Sequence, residues 1–202
     1  MGKLVLVVLA VLVVLAVVVA WTYNRLVAAR NRVRNAFSQI DVQLKRRHDL
    51  IPNLVETAKG YLAHERETLE AVIQARSQAI SAAETGVQLD RTSAAYLMGV
   101  GAAEGRLGLA LTRFLGRVEA YPELKAQSVM QRLMEELATT ENRIAFARQA
   151  YNDAVMRYNT LLKSFPTVLL AGPLGFAEAA LWEITRASER EVVEVRLGSG
   201  GT

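Results

Sequence analysis

The 202-residue chain contains no cysteine and only two histidines. The first absence removes disulfides, thiolate metal sites, cysteine nucleophiles and cysteine-borne lipid anchors. The second leaves too few imidazoles for a zinc site unless a carboxylate supplies a third ligand. His64-Glu65 opens like a zinc-protease helix, but Thr68 stands where the second histidine is required. His48 and His64 therefore read as surface or packing residues. No serine nucleophile motif is present, and Glu135, Glu136 and Glu141 read as solvated helix faces. Gly99, Gly101, Gly105 and Gly108 follow no strand and precede no Lys-Ser or Lys-Thr, which argues against a nucleotide cradle. A basic stripe with interleaved aromatics is also missing, which argues against nucleic acid. The expectation is a protein with no catalytic residue, no cofactor and no metal.

What the chain does have is a run of grease. Residues Leu4 to Ala20 are fourteen Leu or Val and three Ala. As an α-helix this run rises roughly 26 Å, near the lower limit for crossing a hydrocarbon core. Insertion scales make it worth roughly −4 to −8 kcal/mol. A transmembrane helix is expected over 4–22, after a short extension at 1–3, with Leu4, Leu9, Leu12, Leu15, Val19 and Trp21 marking the span. Trp21 and Tyr23 are of the kind that settle among lipid headgroups. The run exceeds an ordinary signal-peptide core and passes straight into helical pattern, so a retained anchor is expected, not a cleaved leader.

Basic residues follow at once: Arg25, Arg30, Arg32 and Arg34, then Lys45, Arg46 and Arg47. They outweigh Lys3 and the α-amino group, so the positive-inside rule predicts the N-terminus outside and the body in the cytoplasm. The opposite orientation also fits a simple signal anchor. The membrane-proximal cluster Arg25, Arg30, Arg32 and Arg34 suits anionic headgroups as well as topology.

Beyond the span, apolar positions step by three and four. Leu26, Val33, Phe37, Ile40, Leu44, Ile51, Leu54 and Ala58 predict a long first helix over 24–83, its seam interrupted by Arg30 and Arg47. Pro52, with Asp49 as a possible cap, predicts a kink or short break near 49–52. Glu84-Thr85-Gly86 reads as a turn. A second helix is expected over 90–120, where Gly101 and Gly105 either admit a close neighbouring backbone or interrupt the helix. Tyr121-Pro122 reads as a bend. The third helix has the most regular seam: Met130, Leu133, Leu137, Thr140, Ile144, Ala147, Tyr151, Ala154, Tyr158 and Leu161. Asn152 and Asn159 follow the two tyrosines at seven-residue spacing. They either fix register and partner choice or merely rim the core. After Phe165-Pro166, an extended stretch and a short helix from about Gly175 are expected to cover the bundle end; contact with lipid is the alternative. A mobile tail is expected at 188–202.

These blocks carry a resemblance. The segment YNRLVAARNRVRNAFSQIDVQLKRRHDLIPNLVETAKGY (Tyr23 to Tyr61) resembles the LemA family, as do EAYPELKA (Glu119 to Ala126), TTENRIAFARQAYNDAVMRYN (Thr139 to Asn159), Phe165-Pro166 and Gly175-Phe176. The stretch from about Ser81 to Arg117 is less typical. The resemblance implies a bacterial membrane-anchored antiparallel helical bundle over 23–187, with no established enzymatic activity. Together the readings give an all-α fold: one N-terminal transmembrane helix, then three long antiparallel helices and a short C-terminal one.

Helix lengths add one expectation. If the first helix is continuous to Ala83, the second returns only to the level of Pro52. Residues 24–48 then lack a full set of partners, and Leu26, Val33, Phe37, Ile40 and Leu44 form a face for self-association or a membrane-protein partner. A rival placement folds the C-terminal segment back over that stalk. The leading functional expectation is a non-enzymatic, single-pass scaffold or adaptor of the bacterial cytoplasmic membrane, a homo-oligomer in contact with the lipid bilayer. A single-span sensor and a lipid-surface-binding or membrane-remodelling protein are the alternatives.

Overall fold

Six helices make up the computed structural model, which describes residues 1–85 and 92–182. They are α1 (Gly2–Lys59), α2 (Arg66–Thr85), α3 (Ala94–Ala120), α4 (Pro122–Lys125), α5 (Ser128–Lys163) and α6 (Thr167–Ala171). No strand occurs among the described residues. The expected all-α bundle with an apolar N-terminal helix is thus observed. Its long helices number four beyond the span, because the expected first helix is two. The chain breaks at 60–65, where Leu62 is buried and the helical pattern resumes at Arg66.

Pro52 does not interrupt α1, so the expected short break near 49–52 is absent; α1 runs through it to Lys59. A proline lacks the N–H that would serve the carbonyl four residues back. That carbonyl belongs to His48, and Arg76 Nε of α2 donates to it at 2.7 Å. A neighbouring helix thus supplies the missing donor, and the helix continues past the proline.

Tertiary packing follows an up-down path. α1 packs along α5, and α2 packs along α3. Phe37 meets Tyr151, and Arg47 meets Glu141. Ten residues up α1 therefore match ten residues back along α5, an antiparallel register. Past Tyr151 the buried side of α5 moves from the expected Ala154 and Leu161 to Val155 and Leu162, both fully or nearly buried. This is the drift of a 3.6-residue helix against a strict seven-residue repeat. The core lies in two parts. The distal part joins Leu50 to Leu62 of α1 and its turn with α2, α3, α4 and the start of α5. The proximal part joins Leu26 to Leu44 with Tyr96, Leu97, Val100, the rest of α5 and the C-terminal segment.

The proposed interaction face is therefore inside the molecule. Leu26, Val33, Phe37, Ile40 and Leu44 are each at most 4 % exposed. The length argument fails because α5 starts beside the top of α1 and runs down it to the level of Arg25. The rival placement is the observed one for Phe176 and Leu174, which pack on this core, whereas Leu181 stays largely exposed. α3 is continuous, so its glycines do not interrupt it. A side chain at Gly105 would meet nothing within 4 Å, so no neighbouring backbone approaches closely at that position.

The C-terminal region reverses the expected order: short helix first, extended chain after. Gly175, at φ +75, makes the turn in a conformation that L side chains rarely adopt. Residues 176–182 then run back along α5 without regular secondary structure. The tail at 188–202, the end of the expected bundle domain at residue 187, and Asp90 lie outside the described residues.

Candidate functional site

Between the two parts of the core lies a layer of charge. Arg47 and His48 of α1 and Glu104 of α3 are all at most 7 % exposed. Arg47 donates through Nη2 to Glu104 and through Nη1 to Glu141 of α5 at 2.6 Å. His48 Nε2 lies 2.8 Å from the other Glu104 oxygen. Burial is the main reason that His48 is pushed down to about 4, followed by the charges of Arg47 and Arg76; Asp49 opposes them weakly. The imidazole is neutral near pH 7 and donates Nε2–H to the carboxylate, whose charge Arg47 already matches. Arg47 Nε is buried with no partner among the described residues. Buried ions must be mutually satisfied, and such a layer fixes helix register more than it adds stability.

This histidine makes stability depend on pH in one direction. An unfolded imidazole takes its proton near 6.5, and the folded one only near 4. Between these values the unfolded state binds more protons, so stability falls as the pH falls. The full difference corresponds to about 3 kcal/mol. Denaturant melts from pH 7 to pH 4 are expected to show this loss, and His48→Gln is expected to flatten that part of the profile. A stability that rises toward pH 4 would overturn the assignment.

Beside the layer, α3 and α5 stand apart and leave a groove of about 960 Å³. Gly101, Gly105 and Leu109 line one wall, and Met134, Leu137 and Ile144 line the other. Its charged lining is Arg47, Glu104 and Glu141 of the layer together with Arg106 and Arg148. Thr112 is the hydroxyl there, and it donates to the Gly108 carbonyl at 2.9 Å. Both carboxylates are held by Arg47. The arrangement ties three helices together, and it presents no nucleophile beside a free base.

The second constellation grips the backbone of the C-terminal segment. Asn159 donates Nδ2–H to the Ala179 carbonyl at 2.9 Å and accepts from the Ala179 N–H at 3.0 Å. Asn152 does the same for Trp182, at 3.1 and 2.8 Å. Tyr158 and Tyr151 donate to the carbonyls of Ala177 and Ala180, both at 2.9 Å. Seven helical residues rise about 10.5 Å, close to three residues of extended chain. The heptad spacing of the Tyr-Asn pairs therefore meets the same backbone positions every third residue. Of the two readings of these asparagines, bonding that fixes register is the observed one. Its partner, however, is an extended strap and not a helix.

Asn159→Ala is expected to leave one half-buried N–H and one carbonyl unpaired, costing on the order of 1–3 kcal/mol each if unsolvated. Hydrogen exchange should accelerate at Ala179 and Ala180 while α2 keeps its protection. Unchanged exchange at Ala179 would show that the bond carries no weight.

Other residues singled out from sequence stay near the surface. Leu4, Leu9, Leu12, Leu15, Val19 and Trp21 are exposed, uncovered by the other described residues. Arg25 stacks on Trp21 at 5.2 Å and Arg30 on Phe176 at 5.9 Å. Arg32 and Arg34 are exposed, as is His64. Among the described residues, no three His, Asp or Glu side chains are grouped to hold a metal.

Residues 36–197 match the sequence profile of the LemA family, about four-fifths of the chain. The chain belongs to the LemA family. Similar proteins include Magnetosome protein MamQ 2 of Paramagnetospirillum magneticum, 26 % identical over 189 residues, covering 87 % of this chain and 70 % of that one. Protein LemA of Metamycoplasma hominis is 28 % identical over 173 residues, covering 85 % and 72 %. Magnetosome protein MamQ of Magnetospirillum gryphiswaldense is 24 % identical over 185 residues, covering 85 % and 68 %. The segments that carried the LemA resemblance hold the observed features: Arg47 and His48 in the first, Glu141, Tyr151, Asn152, Tyr158 and Asn159 in the third. Glu104 falls in the stretch less typical of the LemA family, which is why sequence reasoning missed it.

Proposed function

We propose that this LemA-family protein is a non-enzymatic scaffold or adaptor, anchored in the bacterial cytoplasmic membrane with its bundle in the cytoplasm. One observation carries the reading: a single helix, α1, is both the apolar span and a central element of the bundle. Its window of highest hydropathy averages 3.4 and is covered by none of the described residues. Leu26, only six residues after Ala20, is already fully buried in the core. No linker separates anchor from body, so the body is held at a fixed height over the bilayer. Such a post suits presenting a surface to other proteins at the membrane. The excess of Arg over the single Lys3 supports the cytoplasmic placement. In this reading, copies associate through their spans and outer bundle faces, since the Leu26–Leu44 stripe is buried.

The groove lining supports the absence of catalysis, because its carboxylates and its hydroxyl are already engaged. Protease added outside spheroplasts tests the placement: the bundle should survive until the cells are lysed. Photo-crosslinking from Leu109, which is exposed beside the groove, tests the adaptor role. Discrete adducts with a membrane protein or a second copy are expected. Digestion from outside would overturn the orientation, and the lack of any discrete adduct would overturn the scaffold.

A further inference from the structure

We infer that the base of the bundle, α6 and the turns beside it, is a second lipid contact that seats in the headgroup region next to the span. Three independent observations meet there. The first is position. The α1–α5 register, continued from Phe37–Tyr151, sets Lys163, the last residue of α5, beside Arg25. The ring of Phe176, on the far side of α6, lies 5.8 Å from that of Tyr23. Both ends of the 165–176 segment are thus level with the residues that follow the span.

The second observation is chemistry. From Ser164 to Ala177, fourteen residues pass without one charged side chain. Lys163 and Glu178 close the gap with each other at 2.8 Å. The third is exposure. Phe165, Leu169 and Val168 are 80, 65 and 50 % exposed, while Thr167 and Ala171 turn inward and are buried. The short helix therefore has one side on the bundle and an apolar side facing out. An uncharged apolar side in water invites a cover. Here the bare Leu4–Ala20 surface adjoins it, and one bilayer covers both. Aromatic and aliphatic side chains inserted at the acyl boundary stabilise interfacial binding in proportion to the apolar area buried.

The inference rests on the anchored reading above, and a single experiment separates the two. Because the chain lacks cysteine, one can be introduced and labelled with an environment-sensitive fluorophore without background. Variants Leu12→Cys, Phe165→Cys, Leu169→Cys and Glu123→Cys are reconstituted in phosphatidylethanolamine–phosphatidylglycerol vesicles carrying spin-labelled lipid. Quencher is placed either near the headgroup or near the chain end. The label at Leu12 should be quenched most by deep quencher, and those at 165 and 169 most by shallow quencher. The label at Glu123, at the far end of the bundle, should not respond. Quenching at Leu12 with none at 165 and 169 would overturn the seat while leaving the anchor intact. Blue-shifted but unquenched labels at 165 and 169 would mean that protein covers the patch, which also overturns it. No quenching at Leu12 would remove the anchor and the seat together.

Discussion

Glu104→Ala is expected to destabilise the bundle by about 3–5 kcal/mol, because it strands a buried arginine. Arg47 would keep only Glu141, whose side chain is 44 % exposed, and His48 Nε2–H would lose its acceptor. For a domain of this size the loss corresponds to a fall of roughly 10 °C in melting temperature. Glu141→Ala is the informative contrast, since its partner stays bonded to Glu104 and water reaches the vacated site. It should cost no more than about 1 kcal/mol, the range of exposed pairs. Thermal melts in detergent compare the two directly. Equal losses would mean that the layer draws its strength from the rim and not from the buried carboxylate. Replacing Arg47 and Glu104 together by methionine should recover most of the stability, because the charge is then no longer stranded.

Phe37→Ala is expected to cost about 3–5 kcal/mol, the usual range for emptying a large aromatic site. Its ring is 2 % exposed. It contacts Tyr96, Tyr151 and Trp182 with centroids 5.9, 5.7 and 6.1 Å away, so three segments lose a shared neighbour. The strap at Trp182 should loosen first, since one face of its ring rests on Phe37. Denaturant midpoint and particle mass are measured on the same sample. The midpoint should drop while the mass holds. A changed mass at constant stability would return Phe37 to an intermolecular face.

Phe37 also shows how far sequence reading reaches. Its place on an apolar stripe with Leu26, Val33, Ile40 and Leu44 was legible from spacing alone. What covers the stripe was not. That depended on the break at 60–65, where a single glycine is the only turn residue and the spacing of apolar side chains gives no other sign of a stop. With that break unread, every later level in the bundle was misplaced. Pro52 gave the opposite lesson, since the donor that rescues its helix comes from Arg76, 28 residues from His48.

The polar layer was hidden for a similar reason. Arg47 read as a flaw in an apolar seam because its partners are 57 and 94 residues distant. Pairing across such gaps leaves no local periodicity. The Tyr-Asn pairs were legible as one face of α5, because they repeat with the heptad. Their target was not, because an extended chain whose backbone is bonded by side chains carries no pattern of its own. The apolar row from Leu4 to Ala20 needed no partner to be recognised, because composition alone sets it apart.

The unbroken course of α1 makes the molecule a lever. From Trp21 to Lys59 the rod is about 57 Å long. A lean of about 10° within a bilayer, well inside the ordinary range for single spans, sweeps its far tip by roughly 10 Å. In the proposed anchored state, bilayer thickness would therefore set where the distal loops travel.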